Sequence, residues 1–211
     1  MPSGIGKEIN TLVFDLGEVI VDLNIRAVID GFSNKSRMSS KYIEYLITSH
    51  VALYEYETGR INTDEFIDQI NEALGANIPL YEFKTIWNSM LREIPVGKLQ
   101  LLKKASSRYQ TLILSNTNEM HEQAFDQMVS TKAPGQIMSD FVNHAYYSHK
   151  IGHRKPNQDI YEYIIDANCL NPQQTLFFDD KKENIEGAQR LGIQGVLITQ
   201  SKNLYTYFEE V

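Results

Sequence analysis

Thr11-Leu12-Val13-Phe14 is short, β-prone and apolar on successive residues, and it runs directly into an acid, Asp15. That is the pattern of a strand covered on both faces, which requires a sheet with helices packed above and below it. Similar runs recur at Thr111-Leu112-Ile113-Leu114, His144-Ala145-Tyr146-Tyr147, Thr175-Leu176-Phe177-Phe178 and Gly195-Val196-Leu197-Ile198. Helical stretches separate them: one holding Lys98, Leu99, Leu101 and Leu102, then Glu119 to Met128, Gln158 to Ala167 and Asn184 to Leu191. Strands alternating with helices in this way imply an α/β protein with a doubly wound parallel sheet.

One long stretch, residues 25–93, breaks the alternation with helical periodicity and few strand signals. Tyr42, Ile43, Tyr45, Leu46 and Ile47 recur at helical spacing, and Phe66, Ile67, Ile70 and Leu74 form an apolar stripe that Thr63 is expected to cap. Gly75 ends that helix, and Pro79 opens the next, which holds Phe83, Ile86, Trp87 and Met90. About four helices inserted after the first strand read as a cap. The expected organisation is an α/β core from residues 1–22 and 95–211, with a helical cap over 23–94. Tyr42, Tyr45, Tyr54, Tyr56 and Trp87 are expected in the core of the cap, with an aromatic sugar platform as the alternative; Glu55, Glu57 and Arg60 sit in a loop-like patch, Glu55 to Arg60, that reads equally as facing the substrate or as a solvated turn.

At 211 residues, with 42% hydrophobic and 22% charged residues, the chain is long and apolar enough for a substantial core. Its net charge of −7 argues against a nucleic-acid partner, which needs a positive footprint. No stretch approaches a membrane span, and the start, Met1 to Lys7, has no apolar leader segment. Cys169 alone cannot form an internal disulfide, which fits the cytoplasm; at an expected helix end it reads as a small packing residue. Nothing in the sequence sets an oligomeric state.

Polar residues gather where the strands end. Asp15 follows the first strand, and Ser115-Asn116-Thr117-Asn118 the second. His149 to Pro156 follows the third, and Asp179-Asp180 with Asn184 the fourth. In a parallel sheet these ends share one edge, where ligands bind. Three carboxylates there repel one another unless cations intervene, and Mg²⁺ is the usual hard, oxygen-seeking choice. A lysine would balance the remaining charge, and a serine hydroxyl with main-chain amides would hold phosphoryl oxygens. Such a set suits in-line phosphoryl transfer to an aspartate, followed by hydrolysis of the acyl phosphate.

These segments resemble the four motifs of the haloacid dehalogenase superfamily. Val13-Phe14-Asp15-Leu16-Gly17-Glu18-Val19 is similar to the first and Leu114-Ser115-Asn116 to the second. Lys155-Pro156 resembles the third, and Phe177-Phe178-Asp179-Asp180 with Asn184 and Gly187-Ala188 the fourth. The resemblance implies Asp15 as nucleophile, Ser115 and Asn116 as phosphoryl-binding residues, and Lys155 as charge support. It implies Mg²⁺ held by Asp15, the Gly17 carbonyl, Asp179 and Asp180, with Asn184 orienting a ligand. The implied fold is the superfamily's Rossmann-like core with a helical cap, and the implied substrate a small phosphorylated metabolite. Phe-Asp-Leu-Gly, Leu-Ser-Asn-Thr-Asn, Arg-Lys-Pro and Phe-Phe-Asp-Asp together resemble the α-D-glucose-1-phosphate phosphatase branch.

Gly17 departs from the superfamily's phosphatase pattern, which has a second aspartate there as general acid and base. Glu18, Asp22, His149 or a metal-bound water are candidate replacements. The family's dehalogenases also lack that acid, so a 2-haloacid dehalogenase is an alternative reading. A weakened enzyme that binds a phosphorylated ligand or a protein is another. His121 and His144 read as structural, and Lys181-Lys182 as the solvated start of a helix.

Overall fold

The computed structural model describes residues 5–208; Met1 to Gly4, part of the stretch read above as lacking a leader segment, lie outside the described residues. Strand β1 (Thr11–Phe14) is followed by a two-residue strand β2 (Asp22–Leu23), five helices and strand β3 (Leu91–Glu93). Those helices are α1 (Ile25–Ser33), α2 (Ser40–Thr48), α3 (Val51–Glu57), α4 (Thr63–Leu74) and α5 (Leu80–Asn88). The chain continues through α6 (Val96–Ser106), β4 (Gln110–Ser115), α7 (Glu119–Lys132), β5 (His144–Tyr147) and α8 (Ser148–Ile151). It ends with α9 (Gln158–Asn168), β6 (Thr175–Asp179), α10 (Lys182–Gln189), β7 (Gln194–Leu197) and a closing 3-10 turn, Leu204–Tyr207.

The five expected strands form one parallel sheet in the order β5-β4-β1-β6-β7. From β1 the chain builds outward on one side through β4 and β5, then on the other through β6 and β7. That reversal opens a crevice at the carboxyl end of β1, where Asp15 stands. Successive residues of β1 face opposite layers. Leu12 and Phe14 pack with Ile113, Phe125 and Phe178, while Val13 packs with Leu112, Leu114, Ile160 and Phe177. Both layers are sealed, which explains why the strands read as unbroken apolar runs.

Helices α1–α5 have an apolar cluster of their own, built around Phe32, Phe66, Phe83 and Trp87, to which α7 adds Met120. Phe66 stacks on Tyr56 at 4.4 Å between ring centroids and meets Trp87 edge-on at 5.0 Å.

Several local expectations need correcting. There are five helices in the insert, and the antiparallel pair β2–β3 closes its two ends; strands of two and three residues are too short to show a period. Asn62, not Thr63, caps α4: its Oδ1 accepts from the Glu65 N–H at 3.0 Å while Glu65 Oε2 accepts from the Asn62 N–H at 2.8 Å. The Thr63 hydroxyl instead reaches Glu119, 2.6 Å away. Gly75 does end α4, in the left-handed conformation at φ 59°. Tyr42 and Tyr45 are exposed; of the five aromatics assigned to the cap core, Tyr56 and Trp87 are buried. Residues 55–57 belong to α3 and are not a loop. Cys169 is exposed in the left-handed cap of α9 and packs no core, because its positive φ turns the chain out of the helix.

Candidate active site

Lys155 is the hub. Its side chain is 1% exposed, and its ammonium donates to Asp15 Oδ1, Asp179 Oδ2 and the Leu114 carbonyl, each at 2.7 Å. All three ammonium protons are therefore engaged. The segment that delivers it is held by Asn116: Oδ1 accepts from the Lys155 N–H at 2.9 Å and Nδ2 donates to the Lys155 carbonyl at 2.8 Å. Burial works against the lysine's charge, but Asp15 and Asp179 outweigh it and hold the ammonium above its usual range.

Asp179 is fully buried, and donors surround it. Oδ1 accepts from the Lys181 N–H at 2.8 Å, Asn184 Nδ2 lies 3.0 Å from both oxygens, and Lys155 takes Oδ2. Asp180, next along the chain, faces the cavity above the strand ends, as does Asp15. Ligand oxygens of Asp15, Asp179 and Asp180 all lie within 4.8 Å of one another. Burial, reinforced by the two neighbouring acids and opposed by Lys155, raises the Asp15 pKa to about 6. Burial and Asp179 raise that of Asp180 as well. Three carboxylates share one ammonium. The deficit of positive charge and the all-oxygen donor set fit a hard divalent cation.

The cavity encloses about 210 Å³ between the strand ends and helices α2, α3 and α5. Asp15, Gly17, Ser115, Asn116, Lys155 and Asp180 line its floor, so the structure brings these sequence-predicted residues together, with Asp179 directly behind. Both polar atoms of the Asn116 side chain are occupied by Lys155, which leaves its main-chain N–H for a ligand. The opposite wall combines apolar residues, among them Ile47, Leu53, Trp87 and Met90, with Glu57 of α3 and Arg154. Glu57 Oε2 lies 3.0 Å from the Arg154 guanidinium.

Sequence reasoning missed Arg154, although it immediately precedes Lys155. Glu57 was visible only as part of a patch. Lys181 is exposed, as expected for a helix start, yet also borders the cavity. His144 is exposed at the start of β5. His121 is buried against the wall, stacked on Trp87 at 5.2 Å.

Two of the proposed substitutes for the acid missing at Gly17 do not reach the cavity. Asp22 is ion-paired with Lys98 at 2.8 Å. His149 Nε2 meets Glu122 at 3.0 Å in a separate surface groove that Lys150 also lines. Glu18 does border the cavity; it has φ 55°, and its Oε1 accepts from the Leu23 N–H at 3.0 Å.

Residues 9–192 match the family model described as a haloacid dehalogenase-like hydrolase. Among curated proteins, the D-ribitol-5-phosphate phosphatase of Bacteroides thetaiotaomicron is 29% identical over 191 residues, 88% of this chain and 90% of that one. The crystal structure of a haloacid dehalogenase family enzyme from Bacteroides thetaiotaomicron in complex with magnesium superposes with a TM-score of 0.86, at 28% identity over 97% of this chain and 100% of that one. A wild-type complex of such an enzyme from that organism with magnesium and inorganic phosphate gives 0.79 at 28% identity, over 93% and 97% of the two chains. Among the described residues, no helix is long and apolar enough to cross a membrane. With the family model covering most of its length and the strand-end acids gathered under one cavity, this chain belongs to the haloacid dehalogenase-like hydrolases.

Proposed function

We propose that this protein is a Mg²⁺-dependent phosphomonoesterase that works through an aspartyl phosphate on Asp15 and acts on a small phosphorylated polyol or sugar. The observation that carries this reading is the Lys155 hub with its three acids, set beneath a cavity large enough for a small metabolite. The free oxygen of Asp15 attacks phosphorus while Lys155 holds the other, Oδ1, and fixes the carboxylate plane. Ser115 and the Asn116 N–H bind the non-bridging phosphoryl oxygens. Asp15, Asp180 and the Gly17 carbonyl would hold the cation, with Asp179 completing the carboxylate set from behind. The chemistry Mg²⁺ would supply when bound there is neutralisation of the charge shared between nucleophile and phosphoryl group. Asn184 and Lys155 keep Asp179 in place, a supporting role typical of residues behind a metal site.

In this reading residues 23–94 form a cap over a core of 1–22 and 95–211, and the cap wall selects the substrate. The resemblance to a D-ribitol-5-phosphate phosphatase and the motif resemblance to α-D-glucose-1-phosphate phosphatases both support a hydroxylated substrate. The lone cysteine accords with a cytoplasmic enzyme.

The test is a panel of phosphate esters that includes ribitol 5-phosphate and glucose 1-phosphate, assayed with and without Mg²⁺. Turnover of a polyol or sugar phosphate only with the metal is expected. Chloride release from 2-haloacids without metal would establish a dehalogenase instead. No turnover, combined with a melting temperature raised by phosphorylated ligands, would establish a binding protein.

A further inference from the structure

Gly17 leaves no proton donor beside Asp15, and few groups around the cavity have a proton to give. Lys155 has all three engaged. His121 Nε2 faces the Trp87 carbonyl at 3.3 Å and so carries the ring proton; Nδ1, 3.2 Å from Asn118 Nδ2, accepts. The Glu18 carboxylate is turned toward the Leu23 N–H.

Glu57 is different. It is the last residue of α3, held over the strand ends, and it lines the same cavity as Asp15 and Ser115. Its side chain is 13% exposed. Oε2 lies 3.0 Å from the Arg154 guanidinium, yet no N–H points along that line, so this buried oxygen has no hydrogen-bond partner. Arg154 adjoins Lys155, so this contact ties Glu57 to the segment that supports the nucleophile. Burial raises the Glu57 pKa above the ordinary glutamate range, against the pull of Arg154, Lys181, Lys155 and His149.

Building on the phosphomonoesterase reading, we propose that Glu57 is the acid and base of this site, supplied by the cap in place of the side chain that Gly17 lacks. As Asp15 bonds to phosphorus, the bond from phosphorus to the ester oxygen breaks, and that oxygen takes the Glu57 proton and departs as the alcohol. The Glu57 carboxylate then removes a proton from a water whose oxygen bonds to phosphorus. The bond between phosphorus and the Asp15 oxygen breaks, inorganic phosphate leaves, and Glu57 is protonated again. Each proton given in the first step is recovered in the second.

Rapid-mixing kinetics of Glu57→Gln with Mg²⁺ provide the test. A p-nitrophenolate leaving group needs no proton, so p-nitrophenyl phosphate should still give a burst of about one equivalent of product per site. Steady turnover should then fall about 10²–10⁴-fold, because the base for the second step is gone. An alkyl ester such as glycerol phosphate should show the loss without a burst. Adding Gly17→Asp to Glu57→Gln should restore alkyl turnover by about tenfold or more; a Cβ at Gly17 meets only the flexible end of Leu23, at 3.1 Å, and Asp15 at 3.9 Å.

Alkyl turnover left unchanged in Glu57→Gln overturns the proposal. So does loss of the aryl burst together with alkyl turnover, or the burst pattern appearing in Glu18→Gln instead. Should Glu57→Gln fail to fold, Glu57→Asp keeps the charge and draws the carboxyl back by one methylene. A steeper leaving-group dependence than wild type then supports Glu57, and an unchanged one refutes it. Wild-type protein that hydrolyses neither ester defeats the phosphomonoesterase reading itself; a working wild type with an equally active Glu57→Gln defeats only this assignment.

Discussion

On the floor of the cavity Lys155 meets three oxygens at 2.7 Å, and Asp179 behind it is ringed by Lys155, Asn184 and the Lys181 N–H. On the opposite wall Glu57 leans on one guanidinium without a formed hydrogen bond, among apolar side chains from several helices. Lys155 and Asp179 are each fixed by several partners at once, so removing one leaves the others uncompensated. The wall relies on packing, and its polar groups remain open toward whatever enters. In the proposed function, reaction chemistry belongs to the first kind of construction and substrate choice to the second.

Asp15→Asn is the harshest test of the floor. It removes the attacking oxygen's charge, and turnover of every phosphate ester should fall by about 10⁴-fold or more. Full Mg²⁺-dependent activity in a phosphate-release assay would mean that the reaction does not run through Asp15.

Lys155→Met asks whether the floor is as interdependent as its contacts imply. Removing the cation leaves Asp15 and Asp179 buried together, and loss of one partner of a buried pair costs about 3–5 kcal/mol. Urea unfolding without metal at pH 7.5 should show that loss. At pH 5 it should shrink, because a protonated Asp15 no longer needs a partner. An equal loss at both pH values would show that Lys155 stabilises by packing alone.

Where α5 meets α7, the expected sign is opposite to that of an acid such as Asp15. His121 is buried, its pKa is pushed down to about 4, and the Asn118 amide leaves no place for a proton on Nδ1. The folded protein therefore binds fewer protons than the unfolded chain between about pH 6.5 and 4. This contribution is present above pH 6.5 and is lost as the pH falls toward 4, by about 3 kcal/mol in all. Unfolding curves of wild type and His121→Gln across that range measure it; parallel pH profiles would show that the imidazole does not titrate on unfolding.

The same contrast governs what can be read from the sequence. Each floor residue ends or follows an apolar strand, and parallel strands place their carboxyl ends on one edge. Position along the chain thus becomes position in the site for Asp15, Ser115, Lys155, Asp179 and Asp180. What the sequence hides is how their polar atoms are spent: nothing in Leu-Ser-Asn shows that the Asn116 side chain clasps Lys155. The wall has no comparable rule. Glu57 and Arg154 are 97 residues apart, on elements whose contact depends on how the helices pack, and helical period alone does not decide which tyrosine turns inward. Tyr56 is buried and Tyr45 exposed because α3 and α2 present different faces to Phe66 and its neighbours. Strands β2 and β3 are invisible for a simpler reason, having too few residues to show alternation.

The gentlest probe separates the stability of the wall from its chemistry. Asn62 and Glu65 close a reciprocal cap at the start of α4, and neither lines the cavity. Asn62→Ala removes one half of that exchange and frees an N–H at the helix start, which costs about 1 kcal/mol. For a chain of this size that lowers the melting temperature by about 2–4 °C. If the wall acts only through its packed shape, kcat and KM at 25 °C should match wild type, since a loss of this size leaves the folded population essentially complete. A raised KM for polyol phosphates with unchanged kcat for an aryl ester would show that local opening of α4 already loosens the wall, and that substrate selection draws on the stability of the insert as well as its shape.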